Sequence, residues 1–600
     1  MGPSQLVRSH RDAAAILLLL LAFLVCTARF FGILQLDIDV GRDFVAADLL
    51  AHGRSLYHDI RYLYGPLAPL LDCLLVHWLG VSLRVLLLAG AAASLGIVLL
   101  TYLVARQILS PGLSAAAALI VTVHAIYGGD TMNYATPYTL AATYGLLFAL
   151  FTLYASLRAL DAAGVSRWDF AAGAAAGLAL ASKQEFALIA LVIVAGGIVA
   201  RSYGHPRRLL AAAAAGAVPY ALVAALFARL VFARATVAEF LDNVFPQRSV
   251  ALWGRVYGYV GGWGPEAGAR ILETIFGLLL NFGFVLWATC ALAVLAGVFR
   301  GERPPGRRVW ISLAAGVLFL RYGSYLGYYP LLLHAVALGL AVAGRLPGSR
   351  RRAAFLVLAA VVFLFRVPLY PRSESYALMY FVPSLIVYLA VCHSLVVSCL
   401  AGFIPERRVQ ACLAAVFLLV FPGREFIEKE RHWAGPSERV WSERGVFRAE
   451  PEEAAKARVV LDQIRRHTSP RDRILLIPHG AMYYFLSNRQ PASSYLGYAY
   501  GLVLDGPAET EEIEQWRRAP PKLIIIDDAP QVLHFAGPVN TFGRAYNIQL
   551  GRWIEANYKE VRSIPYAGRE VHFLVPNGDS AAAAPAGVEL PGQRRPPSLR

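Results

Sequence analysis

The sequence predicts a polytopic α-helical membrane protein of about 13 transmembrane helices, within a range of 11–14, followed by a small extracytoplasmic α/β domain. Three observations predict it. Hydrophobic residues make up 57% of the 600-residue chain, charged residues 16%, and the mean hydropathy is +0.51. A soluble chain is nearer a quarter charged. Long apolar runs recur from residue 13 to about 422, and after Phe421 the composition turns charged, with ordinary soluble patterning. This excludes a string of soluble domains, a disordered chain and a disulfide-stapled secreted scaffold. The net charge of +16 is compatible with nucleic acid, anionic lipid or membrane topology, and the placement of the charges decides.

The first apolar run, Ala13 to Leu36, is too long for a signal-peptide core and lacks a small-residue cleavage site, so it is expected to remain as a transmembrane helix. Further spans are predicted near 83–105, 113–128, 138–157, 169–182, 184–200, 209–232, 270–299, 309–326, 327–343, 353–369, 377–401 and 409–422. The short ones at 169–182, 184–200 and 409–422 are also compatible with half-helices. No internal repeat is present.

Arginine placement sets the orientation, because positively charged loops stay cytoplasmic. Loops 1–12, 106–112, 158–168, 201–208, 300–308, 344–352 and 402–408 hold 18 arginines in 63 residues. The intervening loops 37–80, 129–137, 182–184, 233–268 and 370–376 hold 8 basic residues in 99. The expectation is a multi-pass protein of the inner (plasma) membrane, with a cytoplasmic N-terminus and an extracytoplasmic C-terminal domain. The bilayer is then a partner and nucleic acid is not, since no basic nucleic-acid motif occurs.

The expected domains are a transmembrane domain at 1–423, with a first outer loop at 37–80, an α/β domain at 424–578 and a disordered tail at 579–600. Glu452–His467 has helical spacing, acidic early and basic late, as the helix dipole favours. Arg473–Pro478 and Lys522–Asp527 have the pattern of buried parallel strands, residues 541–557 look helical, and 571–576 looks like a late strand. The six cysteines lie in or beside apolar runs without a CxxC pair and are expected to pack as small apolar groups.

The first outer loop carries Asp37, Asp39, Asp43, Asp48 and Asp59 directly after a span. Acidic residues at a membrane rim are costly unless solvated, paired or used. Phe44 to His52 has the pattern of a short helix lying in the interface, with Val45, Ala46, Leu49 and Leu50 on one face and Asp48 and His52 on the other. Gly53 is placed to end it. Tyr64-Gly65-Pro66 then turns the chain into Leu67–Trp78, which is too short and interrupted to span.

At these residues the chain resembles the C-type superfamily of integral-membrane glycosyltransferases, in the branch with protein O-mannosyltransferases and lipid A aminoarabinose transferases. The resemblance rests on the Asp-rich turn, on Ala47, Leu50, Gly53, Tyr57 and Asp59, on Tyr64-Gly65-Pro66-Leu67, and on the stretch from Gly177 to Lys183-Gln184-Glu185. The motifs cover about 40 residues and the layout most of 10–430. Many relatives have an Asp-Glu pair where this chain has Asp37-Ile38-Asp39. The resemblance implies a transferase for a hexose or pentose carried on polyprenyl phosphate, an acceptor outside the cytoplasm (glycan, lipid or protein) and inversion at the anomeric carbon. It implies that the general base is Asp39 or Asp37, with Asp43 as a third candidate. An Asp-x-Asp pair also offers oxygen ligands to Mg²⁺ or Mn²⁺, which makes Asp37 and Asp39 the candidate metal ligands. Some relatives need a metal and others do not, so no cofactor is required by the residues.

A polyprenyl-phosphate leaving group calls for a cation. The five lysines are Lys183, Lys429, Lys456, Lys522 and Lys559, so Lys183 is the lysine of the multi-span region, on the side where positive charge is thin. A compact ammonium suits phosphate, although a lysine snorkelling from a helix end fits the position equally well. Tyr64 and Asp59 are candidate substrate contacts. Arg255, beside Trp253 and Tyr257, and Arg321, beside Tyr322, Tyr325, Tyr328 and Tyr329, are further candidates, although both fit better as rim anchors in an aromatic belt. His124 and His334 are expected to be packed, and Asp527-Asp528 and His479-Gly480 to be strand-end turns. A transporter or lipid flippase is the alternative function. Against it, the ionisable residues gather at one face and no inverted repeat appears. A structural assembly factor acting through its outer domain is a third reading.

Overall fold

The apolar runs become helices in the computed structural model, which describes residues 3–36, 40–127, 133–244, 267–301, 331–364, 379–401, 403–498 and most of 504–578. The chain forms two compact units. One comprises residues 1–31, 49–80 and 84–435, the other 32–48, 81–83 and 436–600.

The first unit is helical. Its elements begin with α1 (Pro3–Phe30), α2 (Val40–Ala51, of which only the end belongs here), α3 (Leu67–Leu79), α4 (Leu83–Ala105) and α5 (Pro111–Ala125). They continue with α6 (Leu140–Ala159), α7 (Arg167–Ser182), α8 (Gln184–Ser202), α9 (Pro206–Phe232) and α10 (Val237–Val244). Helices Ala267–Val298, Leu331–Val342, Arg350–Phe363, Val382–Leu400 and Glu406–Lys429 follow. Every predicted span falls on one of these except 309–326, which lies outside the described residues.

Among the described residues, eight helices are long and apolar enough to cross a membrane. The chain is therefore a multi-pass helical membrane protein. α5, α7, Leu331–Val342 and Arg350–Phe363 are shorter than the roughly 20 residues a hydrocarbon core requires. The expected number of about 13 is not fixed by these helices.

Local sequence sets where the helices start. Ser166 caps α7 in a full capping box with Asp169, Thr139 caps α6 through Ala141 N, and prolines open α5 and α9. Small residues set how closely they pack. A Cβ on Gly173 of α7 would lie 2.0 Å from the Gly216 carbonyl oxygen of α9, so the two backbones touch where no side chain intervenes.

Among the described residues, the arginine-rich loops 1–12, 106–112, 158–168, 201–208 and 344–352 share one end of this unit. Arg106 donates to Asp12, Arg201 pairs with Asp169 at 2.6 Å, Arg352 pairs with Asp161, and Arg351 donates to the carbonyls of Leu160 and Ala200. The arginine-poor loops gather separately: His58 with Glu239, Arg61 with Asp242, Tyr62 with Asn243, and Gly65 with Ser182. Among the described residues, these loops fall into two groups that follow the arginine alternation.

The second unit is α/β. β1 (Glu438–Ser442) and β2 (Gly445–Ala449) form a hairpin. The loop after α1 lies along β2: Leu34 N donates to Arg448 O, and Arg448 N to Gly32 O. The main sheet uses β3 (Arg473–Ile477), β4 (Gln490–Pro491), β5 (Leu523–Asp527), β8 (Tyr558–Tyr566) and β9 (Arg569–Pro576), in the order β4-β3-β5-β9-β8. A separate pair, β6 (Gln531–Leu533) and β7 (Gly537–Val539), lies between β5 and β8 in the chain.

β3 and β5 pair in parallel, as their unbroken aliphatic runs predict, whereas β9 joins antiparallel. Helix Pro451–His467 matches the expected one, while the helix within 541–557 is shorter, Ile548–Asn557. Leu475, Ile477, Tyr498, Trp516, Ile524, Leu550 and Ile554 build the core, and buried Glu512 accepts from Tyr498 Oη and Trp516 Nε1. Residues 579–600 lie outside the described residues.

α2 differs from the helix expected to lie in the interface. It starts at Val40, and Val40, Gly41, Asp43, Phe44, Val45, Ala46 and Ala47 are all buried. Phe44 packs edge-on against Phe485, and Asp48 pairs with Arg444 at 2.9 Å, within the α/β unit. Protein, rather than lipid, covers its first two turns.

Candidate active site

Lys183 is the single residue between α7 and α8, in extended backbone at φ −156° and ψ 139°. It is 4% exposed. Burying an ammonium is costly unless it is paired and hydrogen-bonded, and here both conditions are met. Its Nζ donates to the Tyr138 hydroxyl at 2.5 Å and to the Glu185 carboxylate. The Tyr64 ring has its centroid 5.2 Å from Nζ, within cation–π range. Tyr380 donates to Glu185 Oε1 at 2.8 Å and stacks on Phe186.

The Tyr64-Gly65-Pro66 turn is fastened to this hairpin. Gly65 N donates to Ser182 O at 3.0 Å, and the Gln184 side-chain amide donates to Leu63 O and Val244 O, both at 3.1 Å. Upstream, Tyr57 is buried in the left-handed region at φ 68°, where non-glycine residues are uncommon. Its hydroxyl donates to Tyr64 O at 2.7 Å, and Asn243 of α10 donates to its carbonyl at 3.1 Å. Asp59 Oδ2 accepts the Ser55 amide at 2.7 Å and closes the turn that carries Tyr57. At the edge of the loop, His58 Nδ1 lies 2.6 Å from Glu239 Oε1. Hydrogen bonds from Thr236 and then from His58 pull the Glu239 carboxyl down to about 2, and the bond to Glu239 raises the His58 imidazole.

The structure therefore brings together Lys183, Tyr64 and the turn held by Asp59. Asp43 belongs to the α/β unit, where it is 1% exposed. Asp37, Asp39, Arg255 and Arg321 lie outside the described residues, as do Tyr322, Tyr325, Tyr328 and Tyr329. Among the described residues, no three His, Cys, Asp or Glu side chains come together as a metal site.

Several side chains of this cluster were not singled out by sequence reasoning. Glu185 lies inside the quoted motif, two residues after Lys183. Tyr138 and Tyr380 reach the pair from 45 and 195 residues away, and nothing local marks them. Asp72 of α3 is fully buried and accepts from Tyr144 at 2.7 Å. A carboxylate in an apolar helix was a signal that could have found it.

Other expectations resolve into structural contacts. Asp527 accepts from buried Lys456 at 2.7 Å, His334 lies 3.1 Å from Ser384 Oγ, and His124 pairs with Glu425.

No family model matches the chain, and no curated protein matches it. Among solved structures it is similar to the archaeal oligosaccharyltransferase AglB from Archaeoglobus fulgidus in complex with an inhibitory peptide and a dolichol-phosphate. That likeness has 13% identity and a TM-score of 0.49, over 94% of this chain and 74% of that one. It is also similar to ArnT from Cupriavidus metallidurans bound to undecaprenyl phosphate, with 16% identity and a TM-score of 0.43, over 98% of this chain and 100% of that one.

Proposed function

We propose that the protein transfers a sugar from a polyprenyl-phosphate donor to an acceptor hydroxyl outside the cytoplasm, with inversion at the anomeric carbon. The observation that carries this reading is buried Lys183, enclosed by Tyr64, Tyr138 and Glu185 and tied to the Tyr64-Gly65-Pro66-Leu67 motif. In the reaction the acceptor oxygen bonds to the anomeric carbon as the bond from that carbon to the phosphate oxygen breaks. The acceptor proton passes to a carboxylate of the first outer loop, Asp39 or Asp37, with Asp43 the third candidate. Polyprenyl phosphate departs as an anion and needs a cation rather than a proton. Lys183 supplies that cation, with its ammonium already stripped of water and oriented by Tyr138. The Tyr64 ring and the Tyr138 hydroxyl fix the ammonium, so the charge is placed before the donor arrives.

In this reading the positive-inside rule makes the arginine-rich loops cytoplasmic, and the Lys183 hairpin and the C-terminal domain are taken as extracytoplasmic. The test is transfer of radiolabelled sugar from polyprenyl phosphate in membranes bearing Asp39→Asn, Asp37→Asn or Lys183→Gln. The expected result is loss of product in Lys183→Gln and in one of the two Asp variants. Full transfer by all three variants would sink the assignment.

A further inference from the structure

The arginine-rich end of the helical unit holds a cavity that the transferase reading does not use. Its volume is about 700 Å³, and Asp12 and Ile16 of α1, Tyr102 of α4, Arg106, Tyr154 and Arg158 of α6, and Arg352 line it. The three arginines come from three different parts of the chain, and two of them are already held. Arg106 Nε donates to Asp12 Oδ1 at 2.7 Å, and Arg352 pairs with Asp161.

Arg158 is different. Among the described residues it forms no ion pair with a carboxylate, and its guanidinium lies 5.2 Å from the ring centroid of Trp168. Tyr154 braces that ring edge-on at 5.5 Å. Arg158, exposed and set against Trp168, is thus a planar donor lining a cavity whose two carboxylates, Asp12 and Asp161, are already paired with Arg106 and Arg352. Planar guanidinium groups bind phosphate oxygens in pairs. The cavity also lies where α4 and α6 end and beside the start of the apolar span of α1 at His10, the depth of headgroups for a membrane-spanning unit. Next to Ile16 on α1, Leu17 and Leu21 are 59% and 53% exposed, an apolar track on which an acyl chain can lie.

We propose that this cavity binds a phosphate ester, carried either on an anionic phospholipid headgroup or on a small soluble molecule, with Arg158 as the principal contact. The proposal rests on the multi-span fold and not on the transferase reading.

The test is native mass spectrometry of the full chain in detergent with phosphatidylglycerol or phosphatidylcholine added, alongside calorimetric titration with glycerol 3-phosphate. The wild-type protein should retain phosphatidylglycerol over phosphatidylcholine, or bind glycerol 3-phosphate, and the arm that responds names the source. Arg158→Gln should weaken that binding about fivefold, the worth of one basic side chain at an anionic surface. Arg158→Lys should weaken it less. Arg167→Gln, which alters the other cation over Trp168 but not the cavity lining, should leave it unchanged. Equal retention of both lipids together with no glycerol 3-phosphate binding would overturn the proposal. So would a folded Arg158→Gln protein that binds as the wild type does. If Arg158→Gln fails to fold, the lipid comparison on the wild type and Arg158→Lys still decides.

Discussion

The amide of Gly65 donates to the carbonyl of Ser182 at 3.0 Å, joining the first outer loop to the last residue of α7. Any side chain at position 65 would place its Cβ 2.3 Å from Ala181 O. Backbone meets backbone here, so neither partner can yield by changing rotamer.

Gly65→Ala should therefore force the loop away from the hairpin. The expected cost is about 1–3 kcal/mol, the usual range for overpacking. A lowered melting temperature in detergent checks it, and transfer activity should fall with it because Tyr64 moves with the turn.

Lys183→Gln should abolish donor use, and Lys183→Arg should restore only part of it. Arginine keeps the charge but needs more room than the space among Tyr64, Tyr138 and Glu185 offers a compact ammonium. Steady-state transfer at saturating donor separates this from a stability loss, provided the three proteins melt at similar temperatures.

At the arginine-rich end, Arg201 and Asp169 face each other at 2.6 Å with both side chains 3% exposed. Removing one partner of such a pair leaves a buried charge uncompensated, at a cost of about 3–5 kcal/mol. Arg201→Ala should lower the yield of folded protein sharply. Double replacement with Asp169→Ala should recover part of the loss, which is measurable by size-exclusion fluorescence of detergent extracts.

The pair of His58 and Glu239 should give the outer loop a pH window. The raised His58 stabilises the folded loop below its ordinary value of 6.5, and that contribution is lost as pH rises through its higher folded value. The lowered Glu239 stabilises it above 4.5, and that contribution is lost as pH falls toward about 2. Hydrogen exchange of α10 should be slowest in mildly acidic solution and faster on the alkaline side, and Glu239→Gln should flatten the profile.

How legible this was depended on the range of the interaction. The strands Arg473–Ile477 and Leu523–Asp527 follow from runs of aliphatic residues, and helix Pro451–His467 from its spacing and end charges. The sorting of loops was written in arginine because each loop carries its own record of side. Lys183 stood out because the chain uses lysine so sparingly. By contrast, Tyr138 and Tyr380 arrive from distant segments that precede helices, and no local pattern announces them. α2 was misjudged for a related reason. Its apolar face suggested lipid, but Val45 and Ala46 are buried, and Phe44 and Asp48 beside them meet Phe485 and Arg444 from more than 390 residues further along the chain.

The single-residue junction at Lys183 has a mechanical consequence. The same residue reverses the chain and carries the charge, so no loop of slack lies between the ammonium and the packed helices on either side. The charge cannot drift to suit a larger or smaller headgroup. On the proposed function, adaptation to a different sugar would have to proceed by exchanging the surrounding side chains, Tyr64, Tyr138, Glu185 and Tyr380, around a fixed post.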